Sequence, residues 1–482
     1  MTVKKSWMNW GDLFEFYKLK PKLEKVMELL CQPEIWINNK KLQELNKQKK
    51  QLESKIKDHE LLIKQYEDLI TLTKIVEEDE SFDRELYQEM ADKREKFLSD
   101  CRSFRISNLL SGEYDFKCRN KNVTFTKEML DEINAQIDHL CTLRFEEDEL
   151  DYLRSIRFVK PDYVEFLRLW HPIRDYVFTD LNETTGELIV RVKGPLFSCM
   201  QFEIYLLEII NEVYFRMKYA DQWANIMNSA YDRLNDKIAR FNDGTYNFKF
   251  AEFGCRRRLS SAWEDTVVSR FAKETKNMVG TSNVYLAKKY RLTPIGTYAH
   301  EYVQMYQGIP KIPLAYTNYY ALKDWYNEYK GDLGTALTDT ITTDLFLLDF
   351  DRSMCNNFTG VRHDSGDPIE WGEKIIRHYE KYGIDPKTKT LLFSDSLDFD
   401  KAQGLYDHFK DRIKVSFGIG TFVSNDTCVD PLNIVIKLQS VNGNPVAKLS
   451  DSPGKTMCRD HQYTEYLRSA VQFRLDRECV LS

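Results

Sequence analysis

Five short stretches put residues able to do chemistry close together. In SFGIGT, residues 416–421, Gly418, Gly420 and Thr421 follow an apolar, strand-like run. Glycines there would let backbone N–H groups approach a phosphate, and the threonine adds a hydroxyl; an ordinary glycine-rich turn is the other reading. VGTSN, residues 279–283, supplies a second cluster in Thr281, Ser282 and Asn283. The triplet Arg256, Arg257 and Arg258 carries planar forks suited to phosphate or carboxylate, unless it is a plain surface charge cluster. RHDSGD, residues 362–367, gathers Arg362, Asp364, Ser365 and Asp367 at one turn. Two acids there can take sugar hydroxyls or a magnesium diphosphate, or can cap the helix that follows. His300 stands in GTYAHE after a further glycine-threonine turn, as a functional imidazole or a structural one. Taken together, the stretches suggest a ligand with more than one phosphate or carboxylate group.

The elements that must position these residues are legible in outline. From residue 248 onward, short apolar segments repeatedly end in small or polar residues, and helical stretches such as 371–382 and 400–412 separate several of them. Strand, polar turn and helix in repetition describe a parallel α/β sheet or barrel, with chemistry at the C-terminal strand ends. Ahead of it, FKCRN and VTFT read as strands, residues 126–143, 147–156 and 162–170 as helices, 187–195 as a strand, and 201–240 as a long helical run. The first 110 residues differ: Gly11 is the only glycine before Gly112, and Leu42, Leu45, Leu52, Ile56, Ile63, Tyr66 and Ile70 form a seam for pairing with another helix, with a second helix over 81–98. The expected organisation is a helical hairpin over 1–112, a small α+β domain over 113–240, and an irregular α/β barrel over 241–482.

Composition narrows the function. A chain of 482 residues with 69 basic and 75 acidic side chains, net charge −6, does not have the balance of a protein that coats nucleic acid. The best apolar run, 196–210, is broken by Glu203 and Glu208, so no membrane span or membrane partner is expected. The N-terminus lacks the apolar stretch and cleavage site of a secretory signal. Ten cysteines without a CxxC pair and eight histidines without HExxH spacing suggest reduced thiols, a cytoplasmic location and no protein-held metal.

Two resemblances add to this. LEKVMELLCQPEIW (23–36), KQKKQLES (47–54) and LLSGEYD (109–115) resemble the helical N-terminal domain of bacterial peptide chain release factor 2. Neither Gly-Gly-Gln nor Ser-Pro-Phe follows, which excludes peptide release and leaves, as an alternative function, a ribosome-associated binding protein with an impaired remainder. EFGCRRR, VGTSN, LTPIGTYAHE, LTDTITTD, GVRHDSGDPIEWGEK, SFGIGT, PLNIVIKL and PVAKLSDSPGK, in this order across about residues 113–470, resemble nicotinate phosphoribosyltransferase.

The second resemblance implies a barrel of the type II phosphoribosyltransferase kind. It also implies transfer of phosphoribose from PRPP to nicotinate in NAD salvage, with Mg²⁺ entering beside PRPP and ATP. ATP hydrolysis would be coupled through phosphorylated His300, with Asp339 as its orienting partner, as in a ligase. Arg362 would face the nicotinate carboxylate with the Arg256–Arg258 triplet assisting, Asp364 the ribose hydroxyls, and Gly418, Gly420 and Thr421 the 5′-phosphate. Ser365 and Asp395 would complete the rim. A sibling using nicotinamide is disfavoured by the arginines. The family is often a homodimer with shared sites, and its opening Asp-x-Tyr-Lys segment is replaced here by release-factor-like sequence, so the chain reads as a fusion at Glu113-Tyr114-Asp115-Phe116. Ser396, where glycine or asparagine is expected, and Phe422, where a polar residue is usual, depart from the pattern beside the phosphate turn.

Overall fold

The structure is a computed structural model that describes residues 21–32, 35, 41–50, 52–53, 56, 110–310, 312–452, 455–456 and 458–479. Two compact units divide the chain, Met1–Leu109 and Leu110–Ser482. In the first, residues 21–30 and 41–50 are helical, and Val26, Ile35 and Leu45 form a small core with Leu30, Leu42 and Leu52 against it. The seam positions Ile63, Tyr66 and Ile70, the helix expected over 81–98, and most of the segment assigned a ribosome contact lie outside the described residues.

The second unit contains two sheets. The smaller is antiparallel and runs β13-β12-β1-β3-β2. Its strands are β1 (Ser111–Cys118), β2 (Val177–Asn182), β3 (Glu187–Pro195), β12 (Ile434–Val441) and β13 (Asn444–Pro445). Thus the sheet that begins in the 113–240 stretch takes two of its strands from near the C-terminal end. VTFT is not among them. Phe125 donates its N–H to Gly186 O and Thr126 caps α1 (Lys127–Leu140), so this extended segment is a helix lead-in with no ladder. The run expected over 201–240 is two helices, α2 (Phe202–Lys218) and α3 (Trp223–Asn242).

The larger sheet is parallel and curled into a half-barrel, in the order β6-β5-β4-β11-β10-β9-β8, the open form of the irregular α/β barrel expected. It comprises β4 (Phe250–Glu252), β5 (Met278–Thr281), β6 (Thr293–Pro294), β8 (Thr335–Leu337), which follows β7 (Lys330–Leu333), β9 (Gly360–His363), β10 (Thr390–Phe393) and β11 (Lys414–Ile419). Helices such as α4 (Ser261–Glu274), α5 (Pro368–Lys381) and α6 (Phe399–Phe409) lie between the strands in sequence. Strands covered on both faces are buried residue after residue, as in β4 and most of β10, and the one charged member of β4, Glu252, accepts from Thr281. Under β4 and β11 sits an aromatic core in which Phe241, Phe248, Phe250, Phe271, Phe399 and Phe417 meet at centroid distances such as 5.1 Å for Phe248–Phe417 and 5.2 Å for Phe250–Phe271.

Close strand approach makes one glycine indispensable. A Cβ on Gly360 would stand 2.3 Å from the Thr390 carbonyl oxygen of the neighbouring strand, a backbone atom that cannot swing away. Gly360→Ala is expected to cost about 2 kcal/mol of stability, read as a lower urea midpoint at unchanged slope. Among the described residues, no helix is long and apolar enough to cross a membrane.

Candidate active site

Every strand of the large sheet leads into chemistry-bearing residues at its C-terminal end, β6 into Thr297 and His300. Phe253–Arg258 follow β4, Ser282 and Asn283 follow β5, Asp339 follows β8, Asp364 and Ser365 follow β9, Asp395 follows β10, and Gly420 and Thr421 follow β11. Parallel strands bring these ends to one edge because each connection returns through a helix to the same side.

At the centre is His300, which opens the short helix His300–Met305 and is only 7% exposed. Its Nδ1 lies 2.9 Å from Thr340 Oγ1, and its Nε2 meets both Asp364 Oδ2 at 3.0 Å and Lys448 Nζ at 2.9 Å. Burial, and then the Lys448 charge, push its pKa down to about 4, so the ring is neutral at pH 7. Asp339 stands farther off, with Oδ1 3.9 Å from Nε2. It accepts instead from Lys448 Nζ at 2.8 Å and from the Ser365 hydroxyl, so it holds the lysine and not the ring. Ser365 is correspondingly buried behind Asp339.

Asp364 is the hub. Its Oδ1 accepts from Arg362 Nη2 at 3.1 Å and from Ser394 Oγ at 3.1 Å, opposite the oxygen that meets His300. Burial opposes ionisation, but Arg362, with His300 and Lys448, holds the carboxyl well below its ordinary range. Arg362 also donates from Nε to Ser394 Oγ and from Nη1 to Thr297 Oγ1, both at 2.7 Å. These bonds engage three of its five donors, and the guanidinium lies 6.0 Å over the ring of Phe253. A Cβ on Gly418 would meet that ring at 2.4 Å, so glycine is what lets Phe253 lie against β11. An aromatic ring beside a partly engaged guanidinium can hold a flat aromatic acid.

The arginine triplet divides by role. Arg258 pairs with Glu208 at 3.1 Å and with Glu264 at 3.0 Å, within a buried network in which Glu264 also accepts from Asn283 Nδ2 at 3.1 Å. Thr281 donates to Glu252 at 2.6 Å, and burial with the neighbouring Glu264 pushes Glu252 up to about 8. Arg258, Thr281 and Asn283 are therefore spent inside the scaffold, away from the ligand they were expected to bind; Ser282 is exposed. Arg256 pairs with Glu203 at 2.8 Å, and Arg257 donates to Ile434 O at 2.9 Å. Burial and the charges of Arg256 and Arg119 bring Arg257 down to about 9. Lys437, lowered chiefly by burial, is also pushed down by Arg256 and Lys448. Cations that depress one another beside the strand ends suit a polyanion.

Sequence reading missed Phe253, Arg119, Thr340, Lys437, Lys448 and Lys455. Phe253 lies within EFGCRRR, Thr340 within LTDTITTD, and Lys448 and Lys455 within PVAKLSDSPGK, so the stretches were noticed but not these members. Lys455 pairs with Asp395 at 2.6 Å and donates to Asp364 O at 3.1 Å. His300, Asp339 and Asp364 each offer one atom to a possible metal ion, all within 4.8 Å of one another. The Lys448 ammonium already lies among those atoms, so the charge a metal would bring is supplied by the chain.

The two departures from pattern have different structural meanings. Ser396 has φ +50, a left-handed conformation that glycine or asparagine adopts more readily. Ser396→Gly is expected to stabilise the fold by up to about 1 kcal/mol, seen as a higher melting temperature. Phe422 is exposed, and it is its backbone carbonyl that is held, by Lys237 Nζ at 2.6 Å.

Comparison with known proteins gives a consistent result. The family described as nicotinate phosphoribosyltransferase (NAPRTase) matches residues 248–475, and its N-terminal domain matches residues 103–211. A nicotinate phosphoribosyltransferase of Xanthomonas axonopodis pv. citri is 47% identical over 359 residues, covering 74% of this chain and 90% of the relative. One from Chromobacterium violaceum is 48% identical over 370 residues, covering 75% of this chain and 90% of the relative. The crystal structure of nicotinate phosphoribosyltransferase from Vibrio cholerae superposes with a TM-score of 0.72 at 34% identity, covering 79% of this chain and 93% of that one.

Proposed function

Because the chain belongs to the nicotinate phosphoribosyltransferase family, we propose that it transfers the phosphoribosyl group of PRPP to nicotinate with the help of ATP. In this reading nicotinate, PRPP, ATP and water give nicotinate mononucleotide, diphosphate, ADP and phosphate, a step of NAD salvage. The observation that carries it is the neutral, buried imidazole of His300 held between Asp364 and Lys448 at the strand ends. A neutral ring nitrogen is nucleophilic toward the γ-phosphoryl group of ATP, and the adjacent lysine can meet the charge that arrives.

The remaining roles follow from chemistry and position. The nicotinate ring lies on Phe253 with its carboxylate on Arg362, and Asp364 takes ribose hydroxyls. The turn Gly418–Gly420–Thr421 takes the 5′-phosphate, Arg256 and Arg257 with Lys437 face the diphosphate, and Lys455 sets Asp395 at the rim. Bond making from the pyridine nitrogen to C1 and loss of diphosphate pass through an oxocarbenium-like state, which needs positioning and neutralised leaving-group charge more than a protein nucleophile. Mg²⁺ belongs to this scheme as a companion of PRPP and ATP, whose phosphate oxygens it prefers.

The test is mononucleotide formation from nicotinate, PRPP and Mg²⁺, with and without ATP, alongside nicotinamide as competitor. Turnover of the acid that ATP stimulates supports the reading. Preference for the amide, or a folded protein without turnover, would overturn it.

A further inference from the structure

The segment that delivers Lys448 is built as a strap. It follows β13 and belongs to neither sheet, yet it is fastened at both ends. At the first end, Gln307 clamps Ala447 from both sides: Gln307 Nε2 donates to Ala447 O, and Ala447 N donates to Gln307 Oε1, each at 2.8 Å. In its middle, Leu449 N donates to Thr340 O at 2.8 Å and Leu449 O accepts from Thr342 N at 3.0 Å, a parallel bridge around Ile341. At the far end, Asp451 accepts from Thr343 N through Oδ1 at 3.1 Å and from Thr343 Oγ1 through Oδ2 at 2.6 Å. Ser452 Oγ then accepts from Gly366 N at 2.9 Å, beside Asp364.

The partner of this strap is strained. Thr342 has φ +56 and ψ 145, a conformation close to one reserved for glycine and unfavourable for a β-branched residue. Such a residue persists only where its surroundings over-determine it. Here its N–H is bound by Leu449 O, its Oγ1 accepts from Leu345 N at 3.3 Å, and the next residue is held by Asp451. The bend at Thr342 lets Thr340 face His300 Nδ1 while Thr343 reaches the strap, and Lys448 meets His300 Nε2 from the other side.

We propose that residues 446–452 are a positioning strap, and that Gln307 and Asp451, which touch neither His300 nor its ligands, are positioning residues that hold Lys448 on the imidazole. The consequence for turnover rests on the role of His300 proposed above; the placement of Lys448 does not. The charges facing His300 are Asp339, Asp364 and Lys448, with Arg362 behind Asp364, while Glu301 on its own helix turns toward Tyr114. Loosening the strap withdraws the one facing cation and leaves both carboxylates.

The experiment is an NMR pH titration of the His300 imidazole in the full chain for wild type, Asp451→Ala, Asp451→Asn and Gln307→Met, with turnover measured in parallel. Asp451→Ala and Gln307→Met are expected to move the His300 titration to higher pH and to lower kcat by about 100-fold at little change in KM. Asp451→Asn, whose oxygen still accepts from Thr343 N and whose amide can donate to Thr343 Oγ1, is expected to restore both. Titrations that coincide with wild type in folded variants overturn the proposal. Should Asp451→Ala not fold, Gln307→Met, which keeps the side-chain length and deletes both bonds to Ala447 without adding charge, decides by the same measurement. A wild-type chain without turnover would sink the functional reading and leave the titration result standing on its own.

Discussion

His300→Ala is expected to lose ATP-stimulated mononucleotide formation entirely, while any rate seen without ATP stays measurable. The difference between those two rates isolates the imidazole as phosphoryl acceptor, because alanine leaves the strand-end cations and the Phe253–Arg362 pair in place. Neutrality of the ring makes a pH prediction as well. With its pKa held at about 4 by burial and Lys448, ATP stimulation should be level from neutral pH downward until the ring begins to protonate. The same depression acts on stability. An unfolded histidine has its ordinary value of 6.5 and a folded one about 4, so this contribution is complete above 6.5 and is lost as pH falls to 4. In the alanine variant that acid-side loss is expected to shrink. An ATP-stimulated rate that survives in His300→Ala would exclude the phosphohistidine role.

The second large effect is expected at Asp364. Arg362 and Ser394 donate to this one carboxylate and the Lys448 ammonium stands 3.8 Å from it, so Asp364→Asn removes the negative charge that two cations face. kcat/KM for PRPP should fall by about 10³-fold, the scale seen when one oriented charge interaction is removed from a transition state. A melting temperature near wild type would show that the loss lies in the site; a variant as active as wild type would remove Asp364 from the ribose role.

The sequence announced the strand ends and little of their wiring. Repetition of apolar run, polar turn and helix gave the parallel sheet, and Asp367 caps α5 as the capping reading of RHDSGD had it, while Asp364 turns to His300 and Arg362. Arg258 could not be separated from Arg256 by type, because what distinguishes them is the pair of buried acids, Glu208 and Glu264, carried by α2 and α4. Thr281 and Asn283 fit a ligand loop by composition but are consumed by Glu252, Glu264 and a helix cap. Lys448 lies inside a quoted stretch, PVAKLSDSPGK, but nothing local singles out the lysine. Its meaning comes from a chain reversal that sets it 148 residues from the histidine it meets. Likewise VTFT has the β-branched content of a strand, and only the tertiary bond of Phe125 to the 186 turn withholds a ladder from it.

The pairing of β1 with β12 has a bearing on how the protein is made. Ser111 N bonds to the side chain of Asn442, 331 residues further along, and Arg459 reaches Asp115 across 344. A strand that emerges early from the ribosome must therefore wait for almost the whole unit before its neighbour exists, a long loop to close and a slow step in assembly. Lys448 comes just after β12, so His300 can meet its cation only after that strand has been synthesised. Synthesis that stops short of that point would leave the parallel sheet able to form and the imidazole without its lysine.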